Sequence, residues 1–100
     1  MKKNLLLLVL VLCFAAVYAM DKGKWTGFIS DDDCGVKGNN KEHAACAKNC
    51  VKRGAKPVFV VGDKVYAISN PKKVEKFIGD EVTITGTITN DVLEIDTVKK

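Results

Sequence analysis

Two β-hairpins are predicted in the second half of the chain, and they constrain its fold more than any other feature. In the first, residues 58–61 are apolar, Gly62-Asp63 suits a two-residue turn, and residues 64–69 return as a second strand. In the second, residues 81–88 alternate between apolar and polar side chains, and residues 92–98 return after a turn. Alternation with a period of two predicts antiparallel strands with one face in the core. We therefore expect a mainly β protein.

The remaining elements complete a recognisable order. Residues 24–30 have the composition of a first strand. Asn70 and Pro71 predict a short helix, with Asn70 as its cap, and Gly79 predicts its end. Five strands with one short helix between strands 3 and 4 predict a five-stranded OB-like barrel. A five-stranded SH3-like barrel, or an open sheet with a packed helix, is the alternative.

The N-terminus has the pattern of an export signal. Lys2 and Lys3 precede an apolar run over residues 5–17, which ends in small or compact residues before Met20. A membrane-spanning helix needs about 20 apolar residues, so this run is too short for a permanent anchor. We expect a cleaved signal peptide at 1–19, a single domain at 20–100, and a periplasmic or secreted protein. Cys13 raises a lipoprotein as the alternative.

The charge of the domain argues against a nucleic-acid partner. Loss of Lys2 and Lys3 lowers 16 basic residues to 14 against 12 acidic ones, a net charge of +2. Binding to nucleic acid would require a strong basic patch. A domain of this size also buries little core and often depends on a disulfide or a metal ion. The cysteines therefore carry most of the functional information.

Three cysteines and the single histidine lie close together in the segment between strands 1 and 2. Asn39 or Asn40 predicts the start of a helix that runs to about Cys50 and ends before Gly54. On such a helix His43, Cys46 and Cys50 would share one face. Cys34 lies upstream, on a loop long enough to fold back onto them. We therefore expect a cysteine-bearing helical insertion between strands 1 and 2.

These four residues allow two interpretations, which exclude each other only in part. As a Cys3His set, Cys34, His43, Cys46 and Cys50 suit zinc or copper, because thiolate and imidazole are donors that soft ions prefer. A disulfide from Cys34 to Cys46 or to Cys50 is slightly favoured, and it would contribute about 3 kcal/mol. A bond between Cys46 and Cys50 is awkward within a continuous helix. An odd number of exported thiols leaves one for a metal or a partner.

The rest of the insertion has less distinctive chemistry. Residues 31–33 are three consecutive aspartates, which are expected to form a solvated turn because calcium loops space their oxygens differently. Residues 35–40 are expected to be an exposed loop. The helix is poor in large apolar residues, so we expect it to lie on the surface.

Several motifs of the chain are similar to those of a family of small exported bacterial proteins. They are residues 25–31, Cys34-Gly35, residues 43–51, residues 64–66 and residues 79–86. The family combines an OB-like barrel with a Cys-Gly…Cys-x-x-x-Cys insertion. The resemblance implies export, bacterial origin and the barrel, but no activity. Many relatives place a histidine four residues after the Cys-Gly cysteine, where this chain has Gly38.

The leading functional hypothesis is an exported small binding module of the bacterial cell envelope. Its insertion would hold either a structural disulfide or a soft transition-metal ion. One alternative is a thiol-based redox enzyme that uses Cys46 or Cys50 with His43, although we expect no catalytic role. Another is a non-catalytic interaction protein that uses a spare thiol to bind an envelope partner. The oligomeric state stays open.

Overall fold

The strands of this protein follow the alternating segments of its sequence. A computed structural model describes residues 21–100, and the predicted signal peptide, with Cys13, lies outside the described residues. The elements, in chain order, are β1 (Asp21–Asp31), a 3-10 helix (Gly35–Gly38), a 3-10 helix (Lys41–His43), α1 (Ala44–Lys52), β2 (Pro57–Val61), β3 (Lys64–Ile68), a 3-10 helix (Pro71–Phe77), β4 (Glu81–Thr89) and β5 (Val92–Lys99).

The five strands form a closed barrel in the order β1-β2-β3-β5-β4, and β4 returns to pair with β1. All neighbouring pairs are antiparallel except β3 and β5, which run parallel. This confirms the predicted OB-like barrel, its cysteine-bearing helical insertion between β1 and β2, and the short helix between β3 and β4. That short helix is of the 3-10 type.

The barrel interior is filled by the side chains that the alternation predicts. Val82, Ile84 and Ile88 of β4 are buried, and they belong to one hydrophobic cluster with Ile29 of β1 and Phe59 of β2. Phe59 is the largest fully buried side chain among residues 21–100. Asn90 and Asp91 have φ values of 50° and 62°, the left-handed backbone that a tight β4–β5 turn requires.

Helix α1 lies on the surface, as expected, and buries one face against the core. On that face Ala47 is buried in the same hydrophobic cluster as Val74 and Ile78 of the β3–β4 connection. The small residues of the helix permit this close approach. A Cβ atom on Gly79 would lie only 2.7 Å from Ala44 Cα. None of the helices described here is long and apolar enough to span a bilayer.

The segment predicted as an exposed loop is also partly buried. It forms the 3-10 helix Gly35–Gly38, and Gly38 packs so closely on Ser30 that a Cβ atom there would overlap the Ser30 hydroxyl. Asn39 then donates from Nδ2 to the carbonyl of Gly62, at 2.7 Å, in the β2–β3 turn. The segment therefore lies against the barrel wall, because a residue without a side chain allows it to approach β1.

Asn70 is the N-cap residue of the third 3-10 helix, followed by Pro71, as predicted, but its side chain has a different role. Its side chain makes no capping bond. Instead, Nδ2 donates to the carbonyl of Ile95 at 2.8 Å, and Oδ1 accepts from the Ile95 N–H at 2.9 Å. Asn70 follows β3, so its amide continues the pairing with β5 beyond the end of the strand.

Candidate metal centre

Asp31 sets the position of Cys34 at the end of β1. The side chain of Asp31 is fully buried, and its Oδ1 accepts the backbone N–H groups of Asp33 and Cys34, each at 2.9 Å. An aspartate that bonds to backbone groups two and three residues ahead closes a local turn. This turn places the Cys34 thiol beside the Cys46 thiol of α1.

Cys46 and Cys50 come from α1, one helical turn apart. The segment before α1 is capped as predicted, because Asn40 Oδ1 accepts the His43 N–H at 3.0 Å. Cys46 is exposed, whereas Cys50 is 8% exposed. The two cysteines thus span the boundary between solvent and the barrel core.

The three sulfur atoms of Cys34, Cys46 and Cys50 lie within 4.8 Å of one another. The Cys34 and Cys46 Sγ atoms are 3.8 Å apart. A disulfide requires about 2.05 Å, and no pair of cysteines among residues 21–100 is bonded. Two thiolates on one tetrahedral zinc ion, with bonds of about 2.3 Å, are about 3.8 Å apart. The spacing therefore matches shared ligation of a metal ion and is too long for a disulfide.

His43 is not brought into this group. Its ring nitrogens are not among the donor atoms that cluster with the three sulfurs. Its Nε2 atom is buried and has no hydrogen-bond partner within residues 21–100. His43 precedes α1, and its backbone N–H bonds to Asn40. The prediction that His43 is a metal ligand therefore finds no support in this arrangement and stays a prediction.

A second group of donor atoms shares Cys50 with the first, and sequence reasoning missed it. One carboxylate oxygen from each of Asp31 and Asp33 lies within 4.8 Å of Cys50 Sγ and of the other oxygen. Asp32 and Asp33 are exposed, as expected for a solvated turn, but Asp31 is not. The sequence did contain a signal for this second group, because Asp31 is the last residue of a buried strand and precedes Cys34 by three residues.

The surroundings of the sulfur atoms differ in charge. The pKa of the Cys34 thiol is raised from 9.0 to about 12. Burial is the largest cause of this rise, and the adjacent Asp31 carboxylate and Cys46 thiol add to it. A thiol that holds its proton so firmly is not an activated nucleophile. On the other side of the group, Arg53 Nη2 donates to Cys50 Sγ at 3.7 Å.

In comparisons with family models, curated proteins and solved structures, nothing matches this chain. Its class is therefore defined by its own fold and site. The protein is a small OB-like barrel in which the β1–β2 insertion brings three cysteines together, in an arrangement that could hold a metal ion.

Proposed function

We propose that this protein is an exported binding module of the bacterial cell envelope that binds zinc or copper through Cys34, Cys46 and Cys50. The observation that carries the proposal is the convergence of three sulfurs from two separate elements to within 4.8 Å. Cys34 follows β1, whereas Cys46 and Cys50 lie on α1. Thiolates are the donors that both zinc and Cu(I) prefer.

The local charge is compatible with an ion held by several thiolates. Three thiolates around a divalent ion leave a net negative charge, and burying it is costly unless it is balanced. The Arg53 guanidinium bonds to Cys50, the most buried of the three cysteines. Cys46 is exposed, so an ion has a route to the sulfur atoms from solvent.

Metal titration tests the proposal. Protein expressed from the full-length chain and purified under reducing conditions should bind one Zn²⁺ or Cu⁺ per molecule, measured by native mass spectrometry and competition with a chromophoric chelator. Serine substitution of Cys34, Cys46 or Cys50 should each weaken binding by about tenfold or more, because each removes a ligand. Lys41→Ala, at an exposed site in the same insertion, is the matched control. Stoichiometric binding that survives all three serine variants would exclude this site.

A His43→Ala variant separates the three-cysteine site from the predicted Cys3His site. We expect it to bind metal within about threefold of the unaltered protein, because losing even a residue that only supports a ligand typically costs about tenfold or more. A loss as large as that of the cysteine variants would restore His43 to the ligand set.

A disulfide between Cys34 and Cys46 is the second candidate, because these two unbonded sulfurs are neighbours at 3.8 Å and belong to different segments. It would form if a side-chain rotation brought the sulfurs together and a disulfide-bearing oxidant of the exported compartment accepted the two electrons and two protons by thiol–disulfide exchange. Intact-mass measurement of protein isolated from the cell envelope, with thiols blocked at lysis, distinguishes the two. Loss of two hydrogens, mapped to these cysteines, supports the disulfide; three blocked thiols in metal-stripped protein support the metal site.

Export itself rests on the N-terminal pattern of residues 1–19, which predicts cleavage before Met20. N-terminal sequencing of the protein from a periplasmic or culture fraction tests it. A protein that begins at Met1 and stays with the cytoplasm would contradict export without affecting metal binding.

A further inference from the structure

The Asp31 carboxylate is buried with half of its hydrogen-bonding capacity unused. The side chain has no solvent exposure, and Oδ1 accepts two backbone N–H bonds. Oδ2 is buried and has no partner within residues 21–100. Leaving a buried carboxylate oxygen unpaired is costly, so such an atom calls for a ligand. A bound cation would satisfy it.

This carboxylate also adjoins the cysteine group. One Asp31 oxygen lies within 4.8 Å of Cys50 Sγ, the sulfur that is common to both donor groups. The turn that Oδ1 closes places Cys34 three residues ahead, so Asp31 and two of the three cysteines meet at one end of β1.

We propose that Asp31 is the fourth ligand of the proposed metal site, on which this inference rests. The centre is then a Cys3Asp site selective for zinc. Zinc is usually bound by four donors in a tetrahedron, and a carboxylate oxygen at about 2.0–2.2 Å is an accepted donor. Cu(I) prefers soft sulfur donors and gains little from a carboxylate. A mixed set of three sulfurs and one oxygen therefore favours zinc over Cu(I).

The proposal differs from the Cys3His expectation in the identity of the fourth donor. His43 also has a buried unpartnered atom, Nε2, but it does not join either donor group. Asp31 lies within 4.8 Å of Cys50 Sγ, in the second donor group, and binding of one ion by all four donors requires a side-chain shift that brings the Asp31 carboxylate closer to the other sulfurs. Asp33 belongs to the same group as Asp31, but its side chain is exposed and therefore can remain hydrated.

Asp31→Asn is the most informative substitution. The asparagine side chain keeps an oxygen that accepts the Asp33 and Cys34 N–H bonds, but it loses the negative charge that binds a metal. We expect zinc affinity to fall by about tenfold or more, and Cu(I) affinity to change by less than about threefold, both measured by chelator competition. The matched control is Asp32→Asn, which makes the same charge change one residue away and keeps the bond from the Lys56 N–H.

The outcomes separate this inference from the proposed function. If unaltered protein binds neither ion, the cysteine site itself is wrong. If the cysteine variants lose zinc but Asp31→Asn does not, the cysteine site stands and Asp31 is not a ligand. Equal losses of zinc and Cu(I) affinity in Asp31→Asn would also overturn the inference, because a purely structural role would produce them.

Asp31→Cys, which should add a sulfur ligand, is the second variant to test if Asp31→Asn does not fold. X-ray absorption of the zinc-loaded unaltered protein should show three sulfurs at about 2.3 Å and one oxygen at about 2.0 Å, without the outer-shell pattern of imidazole. Asp31→Cys should raise the sulfur count to four. An imidazole pattern in the unaltered protein, or three sulfurs in Asp31→Cys, would contradict Asp31 as the ligand.

Discussion

The backbone N–H of Cys34 donates to Asp31 Oδ1 at 2.9 Å, so the residue that ends β1 also fixes the turn that carries the first thiol. Through this bond the barrel wall positions Cys34 relative to α1. The second oxygen of the same carboxylate is buried without a partner among residues 21–100, and one oxygen of this carboxylate lies within 4.8 Å of Cys50 Sγ. One side chain therefore links the fold to the candidate metal centre.

The alkylation of Cys34 should depend on pH in an unusual way. Its pKa is raised to about 12, so the reactive thiolate is scarce at neutral pH in the folded, metal-free protein. We expect its alkylation rate to rise about tenfold per pH unit from about pH 8 to about pH 11, without levelling near pH 9. Peptide mapping by mass spectrometry measures the rate. In urea the rate should level near pH 9; a plateau there in the folded protein would contradict the raised pKa.

Zinc should protect the exposed thiol. In metal-free protein Cys46 should be alkylated faster than Cys50, because Cys46 is exposed and Cys50 is buried. Bound zinc should lower the alkylation rate of Cys46 by about tenfold or more, because a coordinated thiolate is no longer a free nucleophile. Quenched alkylation with and without zinc, read by mass spectrometry, provides the rates. An unchanged Cys46 rate at saturating zinc would place the ion elsewhere.

Gly38→Ala should destabilise the protein and disturb the site together. The added Cβ atom would overlap the Ser30 hydroxyl, so the 3-10 helix that follows Cys34 must move away from β1. Overpacking of this kind costs about 1–3 kcal/mol, measured by urea unfolding of the metal-free protein. Zinc affinity should also fall. Val36→Ala, at a residue 47% exposed in the same turn, is the control and should change stability by less than about 0.5 kcal/mol.

Asn70→Ala should weaken the closure of the barrel between β3 and β5. It removes two hydrogen bonds to the Ile95 backbone and leaves partly buried groups unpaired. We expect a loss of about 1–3 kcal/mol in the free energy of unfolding. Asn49→Ala, on the exposed side of α1, is the matched control. Equal stability of the two variants would show that the Asn70 bonds contribute nothing net, and metal binding should be unaffected in both.

Much of the fold was predictable because it depends on local patterns. The alternation of residues 81–88 and the turn residues Gly62-Asp63 and Asn90-Asp91 specify strands and reversals without reference to distant parts of the chain. The five-strand order with a short helix before the fourth strand then selected the barrel. The clustering of Cys34, Cys46 and Cys50 in one insertion was visible for the same reason.

The features that the sequence did not predict depend on contacts between segments. Residues 35–40 were expected to form an exposed loop, but Gly38 is buried because it packs closely on Ser30 of β1. Asn70 is the N-cap residue, as predicted, but its side chain makes no capping bond and pairs instead with Ile95, 25 residues away. Such long-range partners leave no periodic trace in the sequence.

The sequence by itself determined the barrel class and the donor types, because both follow from residue chemistry and short spacings. Only the tertiary structure decided which donors meet. It placed three sulfurs within 4.8 Å, left His43 outside the group, and buried Asp31 beside Cys50. The physical reason is that the end of β1 and the face of α1 are joined by packing and hydrogen bonds between segments, which no spacing along the chain specifies.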